Sequence, residues 1–306
     1  MRVGAVDLGT NSTRLLIADV EAGKLTEVVR RLTITRLGEG VDENHSLGGK
    51  AIERTFECLD AYTEELTRLG AKRALAVATS AVRDAANGRA FLAELESRYG
   101  ITTRLLDGLD EAELTFRGVT AERPLDGETL IVDIGGGSTE LVLGDSTGVL
   151  SAVSLQIGCV RLTERFLRSD PPSATELEGC RAYVDTVLPA LAPRRAIGVA
   201  GTVTSLAAID LGLGEYDPGR IHGHRLQRTA VERELGNLAS LPLEQRRTVV
   251  GLEPARAPVI VAGTLILCEV LAAYGLHEIE ASERDILQGA ALAAADGATP
   301  SINPAA

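Results

Sequence analysis

Two stretches of this chain carry the same device: an apolar run, a carboxylate, a turn of small polar residues, and a second strand-like run. The first reads Asp7-Leu8-Gly9-Thr10-Asn11-Ser12 after residues 3–6, and the second Asp133-Ile134-Gly135-Gly136-Gly137-Ser138-Thr139-Glu140 after residues 129–132. The two aspartates lie 126 positions apart, far beyond a solenoid period, so the chain reads as two copies of one domain. A carboxylate at the carboxyl end of a strand, followed by residues whose backbone N–H groups an anion can approach, is the equipment for holding a phosphate and its Mg²⁺. Two such turns facing each other would grip a phosphate chain from both sides.

The patterns around each device also repeat. Residues 2–7, 13–20 and 25–35 read as three consecutive strands, and 129–133, 140–143 and 149–155 repeat that meander. Helical and strand periodicities then alternate. In the first half they give a helix at 50–69 with Ile52, Phe56, Leu59, Leu66 and Leu69 on one face, a strand at 74–78, a helix at 88–99, a strand at 103–106 and a helix at 110–121. In the second they give helices at 160–167 and 174–191, a strand at 196–200, and helices at 202–211, 229–241, 258–274 and 285–294. Residues 121–128, with Pro124 and Gly127, form the best linker, placing the domains at 1–124 and 125–306. The predicted class is α/β, two duplicated domains with an interdomain cleft, and a tail at 293–306 that frays.

A length of 306 residues suits two ordinary domains, and 45% hydrophobic with 24% charged residues leaves no room for a large disordered fraction. The net charge of −12 opposes binding a polyanion through overall charge, so phosphates must be met by local donors and metal. With 3% aromatic residues and no Trp, base-stacking platforms are absent and duplex nucleic acid is a poor partner. Cys58, Cys159, Cys180 and Cys268 are scattered without a Cys-x-x-Cys pair, which predicts free thiols in a reducing compartment. The N-terminus is too short for a signal-peptide core, and the apolar stretch 257–276 contains Pro258 and Glu269, so it reads as a buried helix rather than a membrane span. A cytoplasmic protein without a membrane segment is expected.

Individual residues have candidate roles on chemistry alone. Gly135, Gly136 and Gly137 let phosphate oxygens reach consecutive amides, Ser138 and Thr139 add hydroxyls, and Asn11 and Ser12 offer the same from the other domain. A triple glycine by itself is ordinarily a turn; its place after a strand and Asp133, and its pairing with the first loop, favour phosphate binding. Asp133 would orient Mg²⁺ with Glu140 as a second carboxylate, and Asp7 is a candidate for binding the metal through water. Glu140 also admits a plain reading as an exposed strand residue. Arg83 either binds phosphate oxygens and neutralises charge in phosphoryl transfer, or pairs with Asp84 or another acid. His222 and His224 either contact an anion or metal, or belong to a polar loop.

Six runs together resemble the exopolyphosphatase/guanosine pentaphosphate phosphatase family. They are D-L-G-T-N-S-T-R-L-L-I from Asp7, A-T-S-A-V-R-D-A-A-N-G from Ala78, D-G-L-D-E-A from Asp107, D-I-G-G-G-S-T-E from Asp133, Q-I-G-C-V-R-L-T-E from Gln156 and A-G-T from Ala200. They occur in family order over residues 7–289. The resemblance implies duplicated ribonuclease-H-like domains of the actin-like, sugar-kinase-like superfamily. It also implies Mg²⁺-dependent release of the terminal phosphate from inorganic polyphosphate or of the 5′ phosphate from guanosine pentaphosphate, and a homodimer. The chain looks like the short form of the family, without a C-terminal phosphohydrolase-like region.

Glu111 matches the second acid of the family's acid-acid-Ala motif, where a glutamate is the base that activates water, and Asp110 replaces the more usual glutamate before it. In the first turn of a helix it would be favoured in its ionised form; without the resemblance, an acid there reads as ordinary N-terminal charge matching. Glu140 matches a metal-associated position. Gly201, Thr202 and Thr204 stand where related kinases hold adenosine and would line the same cleft, and Leu287-Gln288 replaces a frequent Arg-Glu pair. The implied mechanism is in-line attack by a water that Glu111 deprotonates, with Mg²⁺ and Arg83 stabilising the phosphoryl group. The competing readings are a guanosine pentaphosphate 5′-phosphohydrolase, a small-molecule kinase of the superfamily, and a non-catalytic alarmone or polyphosphate sensor.

Overall fold

The apolar run before Asp7 becomes the middle strand of a sheet buried on both faces, which is why it lacks the alternation of a half-exposed strand. In the computed structural model, which describes residues 1–121 and 123–297, the chain divides into one unit made of residues 1–124 with the segment from Arg284, and a second of residues 125–283. The first contains β1 (Arg2–Leu8), β2 (Thr13–Glu21), β3 (Lys24–Thr33), α1 (Val41–Asn44), α2 (Gly49–Arg68), β4 (Arg73–Ala78), α3 (Ser80–Asp84), α4 (Gly88–Tyr99), β5 (Thr102–Leu105) and α5 (Gly108–Thr120). Its sheet runs β3-β2-β1-β4-β5, antiparallel through β1 and parallel beyond it.

The second unit begins with β6 (Thr129–Ile134), β7 (Thr139–Asp145), β8 (Gly148–Leu155), α6 (Cys159–Phe166), α7 (Ala174–Val187), β9 (Arg195–Val199) and α8 (Ala200–Asp210). It continues with α9 (Pro218–Ile221), β10 (Arg225–Gln227), α10 (Arg228–Ser240), α11 (Leu243–Arg246), α12 (Ile260–Ala273) and β11 (Glu278–Ala281). Its sheet runs β10-β11-β9-β6-β7-β8. Read from β8, the order and strand directions repeat those of the first unit, with β6 in the place of β1 and β10 added at the edge. This is the duplicated ribonuclease-H-like domain expected from the sequence.

The last helix, α13 (Ile286–Ala295), corrects the domain boundary at 306. Leu287, Ala290, Ala291 and Ala294 share a core with Val3, Ala5, Leu16, Val77 and Leu114, all of the first unit. Two glycines let α13 and α5 touch backbone to backbone: a Cβ at Gly118 would lie 1.8 Å from the Asp285 carbonyl oxygen, and one at Gly289 2.0 Å from that of Leu114. α2 and α4 cover the opposite face of the sheet through Phe56, Leu59, Phe91 and Leu95. Without α13, the face lined by Val3, Ala5 and Val77 would lose most of its cover. Of the tail read as fraying, Ala293 and Ala294 are buried in α13 and Ala295, its last residue, is half-buried, while 298–306 lie outside the described residues, as does Glu122 in the linker.

α12, the buried helix expected near 258–274, is 14 residues long. Among the described residues no helix is long and apolar enough to cross a membrane. All four cysteines are buried free thiols.

Candidate active site

The turn after Asp133 is built so that its carbonyls point one way and its amides the other. The Gly135 N–H closes the turn on the Ser138 carbonyl at 3.0 Å. The carbonyl of Gly135 then accepts from Cys159 N–H (2.9 Å), and that of Gly136 from Val160 and Arg161 N–H (2.8 and 3.1 Å). The Gly137 carbonyl accepts from Arg161 Nε at 2.7 Å. Because C=O and N–H point to opposite sides of a planar trans peptide, fixing these carbonyls on the N-terminus of α6 aims the amides of Gly136, Gly137 and Ser138 away from it. Those amides donate to nothing among the described residues. Gly158 permits the docking, since a Cβ there would lie 2.3 Å from the Gly136 carbonyl oxygen. Ser138 is buried in the turn, whereas Thr139 commits its hydroxyl proton to the Ile157 carbonyl at 2.6 Å. Thr139 therefore ties down the turn rather than offering that proton to an anion.

The first unit repeats the device. Gly9 N–H bonds the Ser12 carbonyl at the same 3.0 Å, while the carbonyls of Thr10 and Asn11 accept from Gly38 and Arg36 N–H at 2.8 and 3.0 Å. The amides of Asn11 and Ser12 are aimed away in the same manner. Asn11 is buried and its Nδ2 has no partner among the described residues. An unpaired buried donor of this kind needs an acceptor from outside the protein to be satisfied.

Asp7 shares one cation with Asp285. Arg14 donates to Asp7 Oδ2 through Nε (2.8 Å) and Nη2 (2.6 Å), and through Nη1 to Asp285, the N-cap of α13. Burial would lower the Arg14 guanidinium, but the carboxylates of Asp285 and Asp7 outweigh it and hold it above its ordinary value. Burial raises the Asp7 carboxyl more than Arg14 lowers it, while Asp285, also buried, is held down by Arg14 and Arg30. Asp7 Oδ1 has no partner among the described residues, which suits a contact made through water. Gln288 accepts from the Asp285 N–H at 2.9 Å, so at the Leu287-Gln288 departure the second residue serves as the capping partner of α13.

Asp133 and Glu140 are direct partners across β6 and β7, so their side chains share one face of the sheet at a Cβ separation of about 5 Å. Both are buried, Asp133 at 7% exposure and Glu140 at 1%, which removes the reading of Glu140 as an exposed strand residue. Ser154 Oγ donates to Glu140 Oε1 at 2.6 Å. Two carboxylates opposed in this way repel each other unless a cation lies between or beside them. No group of three or more His, Cys, Asp or Glu side chains with metal-holding geometry occurs among the described residues. Mg²⁺ needs only one or two carboxylates and keeps its waters, so this pair fits it.

Arg83 and Glu111 form one unit of structure. β4 delivers Arg83 through α3, and Arg83 Nη1 donates to the Leu106 carbonyl (2.9 Å) and to Glu111 Oε2 (3.1 Å). Of the acids the sequence left open as partners, Asp84 or another, Arg83 takes Glu111. Arg83 Nη2 is buried without a partner among the described residues. Asp107 caps α5 by accepting from the amides of Leu109 and Asp110, which starts the helix at Gly108 rather than 110. Asp110 faces outward and pairs with Arg104 at 2.5 Å, as charge matching at a helix start would have it. Glu111 is buried at 7% exposure against Arg83 and belongs to a different category of environment.

A Cβ on Gly201 would lie 1.5 Å from Arg256 Nη1, so that guanidinium rests on the start of α8, where Ala200 adopts a left-handed φ of 62° and Thr202 and Thr204 are buried. Arg14 and Arg161 lie inside the runs that carry the resemblance, with no role read for either, and Arg256 lies outside them; Arg14 also stands at the position that matches Glu140 in the repeat. His224 Nε2 pairs with Asp210 at 2.8 Å and His222 Nδ1 accepts from Glu283 N–H at 3.3 Å, which agrees with the polar-loop reading.

The Ppx/GppA phosphatase family profile matches residues 16–294. The chain is 40% identical over 315 residues to exopolyphosphatase 2 of Mycobacterium tuberculosis, covering 96% of this chain and 98% of that protein. It is 32% identical over 286 residues to the guanosine-5′-triphosphate,3′-diphosphate pyrophosphatase of Vibrio vulnificus, covering 90% of this chain and 55% of that relative's length. The crystal structure of the Aquifex aeolicus Ppx/GppA family member superposes with a TM-score of 0.83 at 32% identity, covering 96% of this chain and 97% of that one.

Proposed function

The chain belongs to the Ppx/GppA phosphatase family, and we propose that it acts as an exopolyphosphatase, a hydrolase that releases the terminal phosphate of inorganic polyphosphate. The observation that carries this reading is the turn of Gly136, Gly137 and Ser138, whose three amides are held ready for an anion by bonds to their carbonyl sides. Glu111 deprotonates a water that attacks the terminal phosphorus in line; the new P–O bond forms as the bridging P–O bond breaks, and the shortened chain leaves with the bridging oxygen. Arg83 orients Glu111 by donating to its Oε2 through Nη1 and offers Nη2 to the charge on the phosphoryl oxygens. The amides of Asn11 and Ser12 bind further phosphate oxygens.

Mg²⁺ is the proposed cofactor, held by Asp133 and Glu140 with Asp7 contributing through water, and when bound it supplies the positive charge that these strands lack. A guanosine pentaphosphate 5′-phosphohydrolase is the second reading, favoured by the likeness to a relative of that name. A homodimer in the cytoplasm is proposed from the family resemblance and from the buried free thiols.

The test is phosphate release from polyphosphates of defined length, with and without Mg²⁺, alongside guanosine pentaphosphate. Mg²⁺-dependent release with polyphosphate as the better substrate by kcat/KM is the expected result. Binding without release, or ATP-dependent phosphorylation of a small molecule, would replace the reading with a sensor or a kinase.

A further inference from the structure

We propose that Arg161 is a positioning residue for this reaction, aligning the Ser138 amide by holding the Gly137 carbonyl; the inference rests on the phosphate-binding reading of that turn. Of the three peptides that aim amides at the anion, two are fixed by main-chain donors, Cys159 N–H on Gly135 and Val160 with Arg161 N–H on Gly136. The third, Gly137–Ser138, is fixed, among the described residues, by the Arg161 side chain alone, through Nε at 2.7 Å. Gly137 has no Cβ to bias its conformation, so this peptide can turn over at small cost once that bond is lost. Turning it over would swap the positions of a donor and a carbonyl oxygen, replacing an attraction to phosphate with a repulsion.

The duplicated unit supplies an independent comparison. Asn11 stands where Gly137 stands in the repeat, and its carbonyl is held by a main-chain donor, Arg36 N–H at 3.0 Å. The second unit assigns the same task to a side chain. Arg161 is also placed against local preference: it is the third residue of α6, where the helix dipole disfavours a cation. A residue kept at such a position is expected to repay the cost through a specific contact, and the bond to Gly137 is one.

The experiment compares Arg161→Met, which fills the space without a donor, Arg161→Gln, a neutral donor, and Arg161→Lys, a charged one. Phosphate release from polyphosphate is measured as kcat and KM, together with exchange of the Ser138 amide proton in the ligand-free protein. Met is expected to lower kcat about 10²-fold, the effect of losing one preorganised donor, with a smaller change in KM. Ser138 exchange should change by at least about tenfold in the Met variant and return toward wild type with Gln, which should also restore most of kcat. Wild-type kinetics in the Met variant would overturn the proposal. So would an active Lys variant beside a Gln variant as poor as Met, because a requirement for charge means direct contact with substrate. If the Met variant does not fold, the comparison of Gln with Lys decides. A wild-type protein that releases no phosphate defeats the functional reading instead, and the exchange measurement then judges the alignment by Arg161 on its own.

Discussion

Asp133 and Glu140 face each other across β6 and β7 at the register that Asp7 and Arg14 occupy across β1 and β2. One domain plan thus carries a closed ion pair in one copy and two carboxylates in the other. The first copy contains its own counter-charge, which also ties down the cap of α13 through Asp285. The second has the same strand geometry with Glu140 where the first has Arg14, and this asymmetry is the ground for proposing Mg²⁺ at the Asp133 and Glu140 pair.

Relief of that repulsion can be measured without turnover. Glu140→Gln is expected to raise the melting temperature in the absence of Mg²⁺, because the opposed charges no longer repel, by an amount corresponding to about 1 kcal/mol. Mg²⁺ should raise the melting temperature of the wild type and leave that of the variant nearly unchanged. Turnover should fall by about 10²-fold or more. An equal Mg²⁺ shift in both proteins would place the cation elsewhere.

Glu111 and Arg83 should separate chemistry from binding. Glu111→Gln removes the base while keeping the shape, so kcat is expected to fall at least about 10²-fold with polyphosphate affinity nearly unchanged. Arg83→Lys keeps a charge but cannot hold Leu106 and Glu111 while presenting a further nitrogen, so it should lose activity to an intermediate degree. Steady-state kinetics with equilibrium binding of polyphosphate to Glu111→Gln checks both. Wild-type hydrolysis in that variant would remove Glu111 from the role of base.

What the sequence makes legible is local in the chain. The aspartate, the small residues and the flanking strands of each device lie within twenty positions, so their pattern survives in one dimension. Glu111 needed the family resemblance, because an acid at a helix start has an ordinary explanation that Asp110 in fact satisfies. β11 was missed since Glu278–Ala281 has four residues and alternates acids with apolar groups, too little for a buried strand to declare itself. α13 was legible as a helix but not as a member of the first unit: an all-round apolar helix says that it is covered, not by what. Arg161 acts by a side-chain bond to a carbonyl 24 positions away, and no periodicity reports such a contact.

The thiols should be silent in the folded protein. Burial pushes the Cys159 thiol up to about 11 despite the nearby Arg256, and Cys180 and Cys268 to about 12. At pH 8 only about one part in a thousand of Cys159 would be thiolate, against roughly a quarter for an ordinary cysteine. Alkylation by iodoacetamide at pH 8 is therefore expected to be slow for the native protein and complete after unfolding. Rapid native labelling of Cys159 by peptide mapping would contradict the burial that the docking of α6 on the glycine turn requires.

The contact between α5 and α13 makes the last helix a condition for placing the base. Gly289→Val puts a branched side chain where even a Cβ would lie 2.0 Å from the Leu114 carbonyl oxygen, and Leu114 is one turn from Glu111 on the same helix. The helices must separate, at a cost of about 3 kcal/mol for an overpacked contact with no free volume. Stability and kcat should fall together, whereas Glu111→Gln lowers kcat alone. The same volume added at Gly236, which has no atom within 4 Å of its would-be Cβ, is expected to change stability by about 1 kcal/mol or less and leave kcat intact. Urea unfolding and phosphate release on the two glycine variants separate a role for α13 in holding α5 from a general intolerance of added bulk: loss of kcat in both, or in neither, would dissociate Glu111 from that helix pair.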